Sequence, residues 1–229
     1  MPLDESIIGL GVYTPREAAR LVGTSPQQVL RWTRGSGTDT PLWNAQYQFL
    51  DDDVTEISFL DMIEVRVVAA MRRANISLQS IRFAISFAQE KYGLERPLAS
   101  QAFKTDGTEI LMEAVESDGD FVSLSKKRPG QKVFREIIAQ SLNDLEYDGE
   151  TVARWRPHGF DDIIIDPKRF FGDPVLDSYG ISTSTLKSEF DEFGDFKYLA
   201  GIYEVPEVLV KASVRFEKSL DEAYGKGAV

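Results

Sequence analysis

Tyr13-Thr14-Pro15-Arg16-Glu17-Ala18-Ala19, continued four residues later by Thr24-Ser25-Pro26-Gln27-Gln28-Val29-Leu30-Arg31-Trp32, is the stretch whose reading decides the fold of this chain. Thr14 is a natural N-cap, because its hydroxyl can accept from a free amide of the first helical turn. Pro15 behind it gives up no helical hydrogen bond and arrives with φ already set. Ala18, Ala19 and Val22 make a short apolar face. Gly23 suits the positive φ that closes a helix tightly, and Ser25-Pro26 opens a second helix with the same chemistry.

Small side chains at Ala19 and Gly23 let the two helices cross closely, while Val29 and Trp32 turn the second one's apolar side inward. Ser25, Gln27, Gln28 and Arg31 are left facing outward from its N-terminal half. A helix of this kind fits a major groove, where amides and guanidinium groups hydrogen-bond to base edges. The pair is therefore expected to be a helix-turn-helix. Gly35-Ser36-Gly37, Pro41-Leu42-Trp43 and Tyr47-Gln48-Phe49 follow, and glycine punctuation before short aromatic runs predicts a hairpin. Placed behind a recognition helix, it would serve as a wing against the phosphate backbone. Thr24, Ser25, Gln27, Gln28, Arg31 and Arg34, with Tyr47 and Gln48 from the wing, are the expected DNA contacts.

Further along, Ser58 is positioned to cap a helix from Phe59 to about Ala74, with Leu60, Ile63, Val67 and Met71 on its buried face. Ser77 caps another, with Ile81, Ala84, Ile85 and Ala88 inside and Gly93 as its stop. Arg66, Arg72, Arg73 and Arg82 lie on these helices, in reach of phosphates or simply solvated. Residues 7 to 92 thus resemble the amino-terminal DNA-binding domain of the MerR family. The likeness rests on the helix pair, the wing, Phe59-Leu60-Asp61-Met62-Ile63-Glu64, and Asn75-Ile76-Ser77-Leu78-Gln79-Ser80-Ile81-Arg82. Asn75 stands where that family has glycine, and asparagine tolerates the same left-handed backbone. The resemblance implies DNA contacts from the second helix and the wing.

The long dimerisation helix usual in that family does not follow. From Pro97 the pattern predicts short strands at Ala102-Phe103-Lys104, Glu109-Ile110-Leu111-Met112 and Phe121-Val122-Ser123-Leu124, turned at Asp106-Gly107 and Asp118-Gly119. Val133, Ile137, Ile138 and Leu142 mark one helix, and Leu145-Glu146-Tyr147 with Val152-Ala153-Arg154-Trp155 flank a turn at Asp148-Gly149. Ile163-Ile164-Ile165 reads as a buried strand with Asp161, Asp162 and Asp166 outward. Ser182 is placed to cap a helix with Leu186, Phe190 and Phe193 inside. Gly194-Asp195 turns the chain into a short helix through Phe196, Leu199 and Ala200, and a third begins at Glu204-Val205-Pro206 with Val208, Leu209, Ala212 and Phe216 inward. The tail from Tyr224 to Gly227 is expected to fray.

Ile165-Asp166-Pro167, Gly172-Asp173-Pro174-Val175 and Gly180-Ile181-Ser182-Thr183-Ser184-Thr185-Leu186 resemble the small carboxyl-terminal domain found on antitoxins of VapBC-like toxin–antitoxin operons. The usual glycine-threonine-arginine-isoleucine-proline run is replaced here by Gly180-Ile181-Ser182. The resemblance implies an antitoxin of a type II pair that binds a PIN-domain ribonuclease toxin and represses its own operon at promoter DNA. The expected partners are that toxin, the operator and a second copy of the chain within a toxin–antitoxin hetero-oligomer, with no membrane. The competing expectations are a one-component MerR-like transcriptional regulator sensing a small molecule, and a scaffold with no affinity for DNA.

Composition bounds these readings. The 229 residues, 42% hydrophobic, suffice for a buried core, and the expected fold is α+β and mainly helical. The expected units are a winged helix-turn-helix at 1–95, a small α+β module at 96–158 and a helical antitoxin-type domain at 159–229. Lys and Arg number 26 against 37 Asp and Glu, for a net charge of −11, which is unusual for a protein held to DNA by charge alone. The imbalance is uneven: residues 1–36 hold four Arg against three acids, while residues 161–229 hold eight basic and fourteen acidic side chains. That split fits nucleic acid at one end and a basic protein surface at the other. No apolar run nears the roughly 20 residues of a membrane span, and a cytoplasmic location is expected. Zero cysteines exclude thiolate metal sites and a cysteine nucleophile, the single histidine, His158, excludes a His–His pair, and no phosphate-loop motif occurs. No enzymatic activity, cofactor or metal is expected.

Overall fold

The computed structural model describes residues 7–37, 40–47, 55–117 and 129–227. Two short helices open it, α1 (Pro15–Val22) and α2 (Pro26–Arg34), followed by the longer α3 (Phe59–Arg73) and α4 (Leu78–Tyr92). Capping at these ends is as the sequence suggests. Thr14 and Glu17 form a reciprocal capping box, and Ser58 with Asp61 forms another. Ser25 and Ser77 each accept an amide of their first turn, and Asn75 takes φ 61° between α3 and α4.

Next come α5 (Gln101–Ser117) and α6 (Pro129–Leu142), then a hairpin of β1 (Leu145–Asp148) and β2 (Thr151–Trp155). Here the structure corrects the sequence reading. Ala102–Lys104 and Glu109–Met112 belong to the one helix α5, and Asp106-Gly107 is not a turn but a point within it. Phe103, Ile110 and Leu111 are buried at helical spacing. Gly107 is where α6 comes closest, because a Cβ there would stand 2.7 Å from Ile138 Cδ1. Close helix packing, rather than a turn, accounts for that glycine. The expected strand at 121–124 and the turn at Asp118-Gly119 lie outside the described residues.

The rest of the chain forms a three-stranded antiparallel sheet ordered β3 (Ile163–Ile164), β4 (Val175–Leu176), β5 (Ile181–Ser182), and then α7 (Thr183–Phe193), α8 (Phe196–Tyr203) and α9 (Glu207–Gly227). Ile163, Ile164 and Ile165 are buried as expected, while Asp166 is buried too, its carboxylate accepting the Lys168 amide at 2.9 Å. Ser182 occupies the N-cap of α7 without capping through its side chain. Phe193 and Val208, which helical spacing turns inward, are exposed.

Apolar burial falls into two clusters. The first joins α1–α4 with α5, α6 and the β1–β2 hairpin, from Tyr13 to Ile165. The second lies among β3, β4 and α7–α9. Leu21 packs against both, and α9 passes from one to the other, with Phe216 and Leu220 in the second and Tyr224 against the first. This contact explains why the carboxyl-terminal helix runs on to Gly227 instead of fraying. Among the described residues no helix is long and apolar enough to cross a membrane.

Candidate nucleic-acid interface

The α1–α2 pair closes around a left-handed Gly23 (φ 69°), with Ala18, Ala19, Val22, Val29 and Trp32 buried between the helices and the body. Alternation of burial along α2 then decides which side chains reach the surface. Gln27, Gln28 and Arg31 are exposed. Ser25 and Arg34 are half-buried, and Ser25 accepts the Gln28 amide at 3.3 Å. Thr24 is buried and donates its hydroxyl to the Gln28 side-chain carbonyl. It therefore orients Gln28 rather than presenting a group of its own.

The segment after α2 does not take the expected form. Residues 40–47 belong to neither sheet, and Leu42, Trp43, Ala45 and Tyr47 are buried in the first cluster. Leu42 N–H donates to Trp32 C=O at 2.8 Å, tying this segment to the end of α2. Tyr47 is 1% exposed and donates its hydroxyl to Gly11 C=O, so the residue expected to touch DNA is instead a core anchor. Aromatic residues so close to the core gain more from burial than from solvent. Gln48 lies outside the described residues.

The arginines of α3 and α4 are partly engaged within the protein. Arg66 makes a bidentate pair with Asp144 at 2.8 and 2.9 Å and lies over the Trp155 ring. Arg82 donates to Pro41 C=O at 2.7 Å and to Thr40 C=O, fixing the segment behind α2. Arg72 donates to Ile76 C=O at 2.6 Å, and Arg73 is exposed beside the Gly23 carbonyl at 3.4 Å. Arg73 thus extends the cationic edge next to the turn.

Two polar clusters hold this unit in place, and sequence patterning showed neither. In the first, Asp61 accepts Trp43 Nε1–H at 2.8 Å, Gln46 N–H at 3.0 Å and Ser58 Oγ–H at 2.8 Å. Arg96 bridges Asp61 to Glu64, standing 2.7 Å from the Glu64 carboxylate. Burial pushes Glu64 up to about 7 even though the adjacent guanidinium pulls the other way. In the second, Arg20 on α1 meets Glu217 at 2.7 Å and Asp221 at 2.8 Å, both on α9. Glu217 is almost fully buried and also accepts the Thr183 hydroxyl. Ala223 Cβ sits 3.6 Å from where a Cβ on Gly23 would be, and Tyr13 donates to Gly172 C=O at 2.8 Å. The one sequence signal for this brace was an arginine in the last turn of a short capped helix, too general to name its partner.

Among the described residues no group of three or more His, Asp or Glu side chains is placed to hold a metal ion, and His158 is exposed.

These features define a mainly helical α+β protein with an exposed glutamine–arginine face on α2, braced from behind by a carboxyl-terminal helical unit. Among curated proteins, the chain is 30% identical over 159 residues to "Putative antitoxin VapB45" of Mycobacterium tuberculosis, a similarity covering 65% of this chain and 66% of that protein, just under two thirds of its length. The fold of this chain is that of the crystal structure of RV2018 from Mycobacterium tuberculosis, with a TM-score of 0.67, 22% identity, and coverage of 88% of this chain and 96% of that one. No family model matches the sequence.

Proposed function

We propose that this chain is the antitoxin of a type II toxin–antitoxin pair, neutralising a PIN-domain ribonuclease toxin and repressing its own operon. The observation that carries the reading is the similarity to an antitoxin across most of the chain. The VapBC-like layout of residues 165–186 supports the PIN-domain assignment of the toxin.

The DNA half of the proposal rests on α2. Gln27, Gln28 and Arg31 project from one face, at the spacing that lets two amides and a guanidinium lie along neighbouring base edges. Ser25 at the N-terminus of α2, Arg34 at its end and Arg73 beside the turn are placed to meet phosphates. The brace from α9 meets α1 at Arg20 and the turn at Gly23, while Gln27, Gln28 and Arg31 stay exposed. One such helix reads few bases, so operator binding calls for two copies on half-sites about one DNA turn apart. The acidic balance of the chain leaves less non-specific attraction than a basic regulator has, which makes the few base contacts weigh more.

The test is Arg31→Ala in the full chain. Gel shifts on the promoter fragment should show binding weakened by about 1–3 kcal/mol, with the salt dependence reduced if the guanidinium also meets phosphate. Co-purification with the product of the adjacent reading frame should be unchanged. Equal loss of both would contradict separate surfaces. Growth arrest by that product, relieved on co-expression, tests the antitoxin role itself.

A further inference from the structure

α7, α8, α9 and the link before α9 bury Leu186, Leu199, Val205 and Val210 in the second cluster, and Phe190 stacks on Phe196 at 4.0 Å. Beyond what this core needs, a second apolar set faces solvent: Phe193 is 48% exposed, Tyr198 48%, Ile202 52% and Val208 67%. Tyr198 and Ile202 are four residues apart on α8 and so share a face. The Phe193 ring lies 5.4 Å from that of Tyr198, which carries the stripe from the end of α7 along α8. Val208 stands in the first turn of α9, just past the link that follows α8. Single exposed apolar residues are ordinary, but a stripe that includes two aromatic rings in contact marks an interaction surface.

The charges around the stripe say what covers it. Residues 189–207 contain six acids, Glu189, Asp191, Glu192, Asp195, Glu204 and Glu207, and a single base, Lys197. Lys187 and Lys211 at the margins are paired with Asp191 and Glu207. A second copy of the chain would set this acidic frame against itself, and nucleic acid or an anionic membrane would be repelled in the same way. An apolar centre inside an acidic rim complements a protein with an apolar anchor ringed by lysine and arginine.

We propose that the Phe193–Tyr198–Ile202 stripe is the docking surface for a basic partner protein. The partner seats an apolar side chain against Tyr198 and Ile202, and its cations face Glu192, Asp195 and Glu204. The partner's identity as the toxin rests on the antitoxin reading above; the surface itself rests on burial and charge.

Two measurements on the full-length chain keep these claims apart. The first uses defined probes: two amphipathic helical peptides with the same leucine–phenylalanine stripe, one flanked by lysines and one by glutamates. The lysine peptide should bind with an affinity that falls as salt rises, and the glutamate peptide at least about tenfold more weakly. Tyr198→Ser/Ile202→Ser should weaken the lysine peptide about tenfold or more, and so should Glu192→Lys/Glu204→Lys. All four side chains are exposed, so neither double variant should disturb folding, which circular dichroism checks. Equal affinity for both peptides, no binding of either, or a dimer of the chain that the first variant dissociates would overturn the surface.

The second measurement is pull-down of the adjacent reading frame's product by wild type and by both variants. Loss in the variants, with promoter binding intact, assigns the surface to the toxin. Undiminished capture by both variants would overturn the docking surface while leaving the antitoxin role standing. Failure of the wild type to capture the product would instead count against the antitoxin role, leaving the peptide result to decide the surface.

Discussion

Replacing Arg96 by methionine should destabilise the chain in a manner that depends on pH, and the size of the effect follows from the cluster around it. The guanidinium serves two buried carboxylates at once, Asp61 and Glu64. Asp61 would keep its bonds from Trp43, Gln46 and Ser58, whereas Glu64 would lose the cation beside it. Breaking a buried ion pair from one side costs about 3–5 kcal/mol when the remaining charge must stay.

Glu64 has an escape, because burial already pushes it up to about 7 from an ordinary 4.5. Between those two values the folded chain holds a proton that the unfolded chain has released. Stability from this group is therefore fully present below the unfolded value and is lost as pH rises through the folded one. The displacement corresponds to about 3 kcal/mol in the wild type. Without Arg96 the folded value climbs further and the loss continues to higher pH. The variant should thus lag the wild type by about 1–2 kcal/mol near pH 5, where Glu64 is neutral in both, and by about 3–5 kcal/mol near pH 8. Urea unfolding followed by tryptophan fluorescence reads this directly, since Trp43 is bonded to Asp61. Glu64→Gln should flatten the wild-type slope over the same range. The reasoning fails if the Arg96→Met deficit is the same at both pH values, or if Glu64→Gln leaves the slope unaltered.

Arg20→Met should cost about 2–3 kcal/mol, because the nearly buried Glu217 loses its guanidinium and is left to the Thr183 hydroxyl; the urea midpoint checks it, and Arg20→Lys should recover only part, lacking the fork that reaches Glu217 and Asp221 together. Gly23→Ala should lower stability by about 1–2 kcal/mol through its left-handed φ of 69°, since the added methyl meets Ala223 at an ordinary 3.6 Å. A calorimetric scan measures that loss, and Gly23→Asn, which tolerates the same backbone better, should lose less.

Local chemistry carried the helix starts of the first ninety residues. Thr14, Ser25, Ser58 and Ser77 cap where the sequence places them, because a cap is settled within four residues by a hydroxyl and a free amide. Asn75 takes the left-handed turn for an equally local reason. The errors fall where the outcome depends on distant partners. Asp106-Gly107 has the dipeptide of a hairpin turn, yet α6 presses Ile138 onto it and a helix packs there instead. The aromatic run through Trp43 and Tyr47 has the look of a wing, but the buried carboxylate of Asp61 and the carbonyl of Gly11 give Trp43 and Tyr47 better partners inside. Of the expected DNA contacts, Gln27, Gln28 and Arg31 are exposed because their positions follow from helical period alone. Thr24 and Tyr47 are not, because their burial is set by contacts the period does not describe.

The placement of the reader follows from the same division between local and distant. α1 contributes Ala18, Ala19 and Val22 to the first cluster, while its Leu21 also touches the second and its Arg20 reaches Glu217 and Asp221. α9 answers from the other side, with Phe216 in the second cluster and Tyr224 against the first. The helix behind the reader is therefore held by the unit that carries the exposed Phe193–Ile202 stripe. A partner that shifts α9 would shift Arg20 and Gly23 with it, and the two helices of α1–turn–α2 meet at Gly23. Coupling between partner binding and DNA binding then needs no contact between the two ligands. It needs a difference in the α1–α9 brace between the partner-bound and free chain, and Arg20→Met is the change that would uncouple the two while sparing both surfaces.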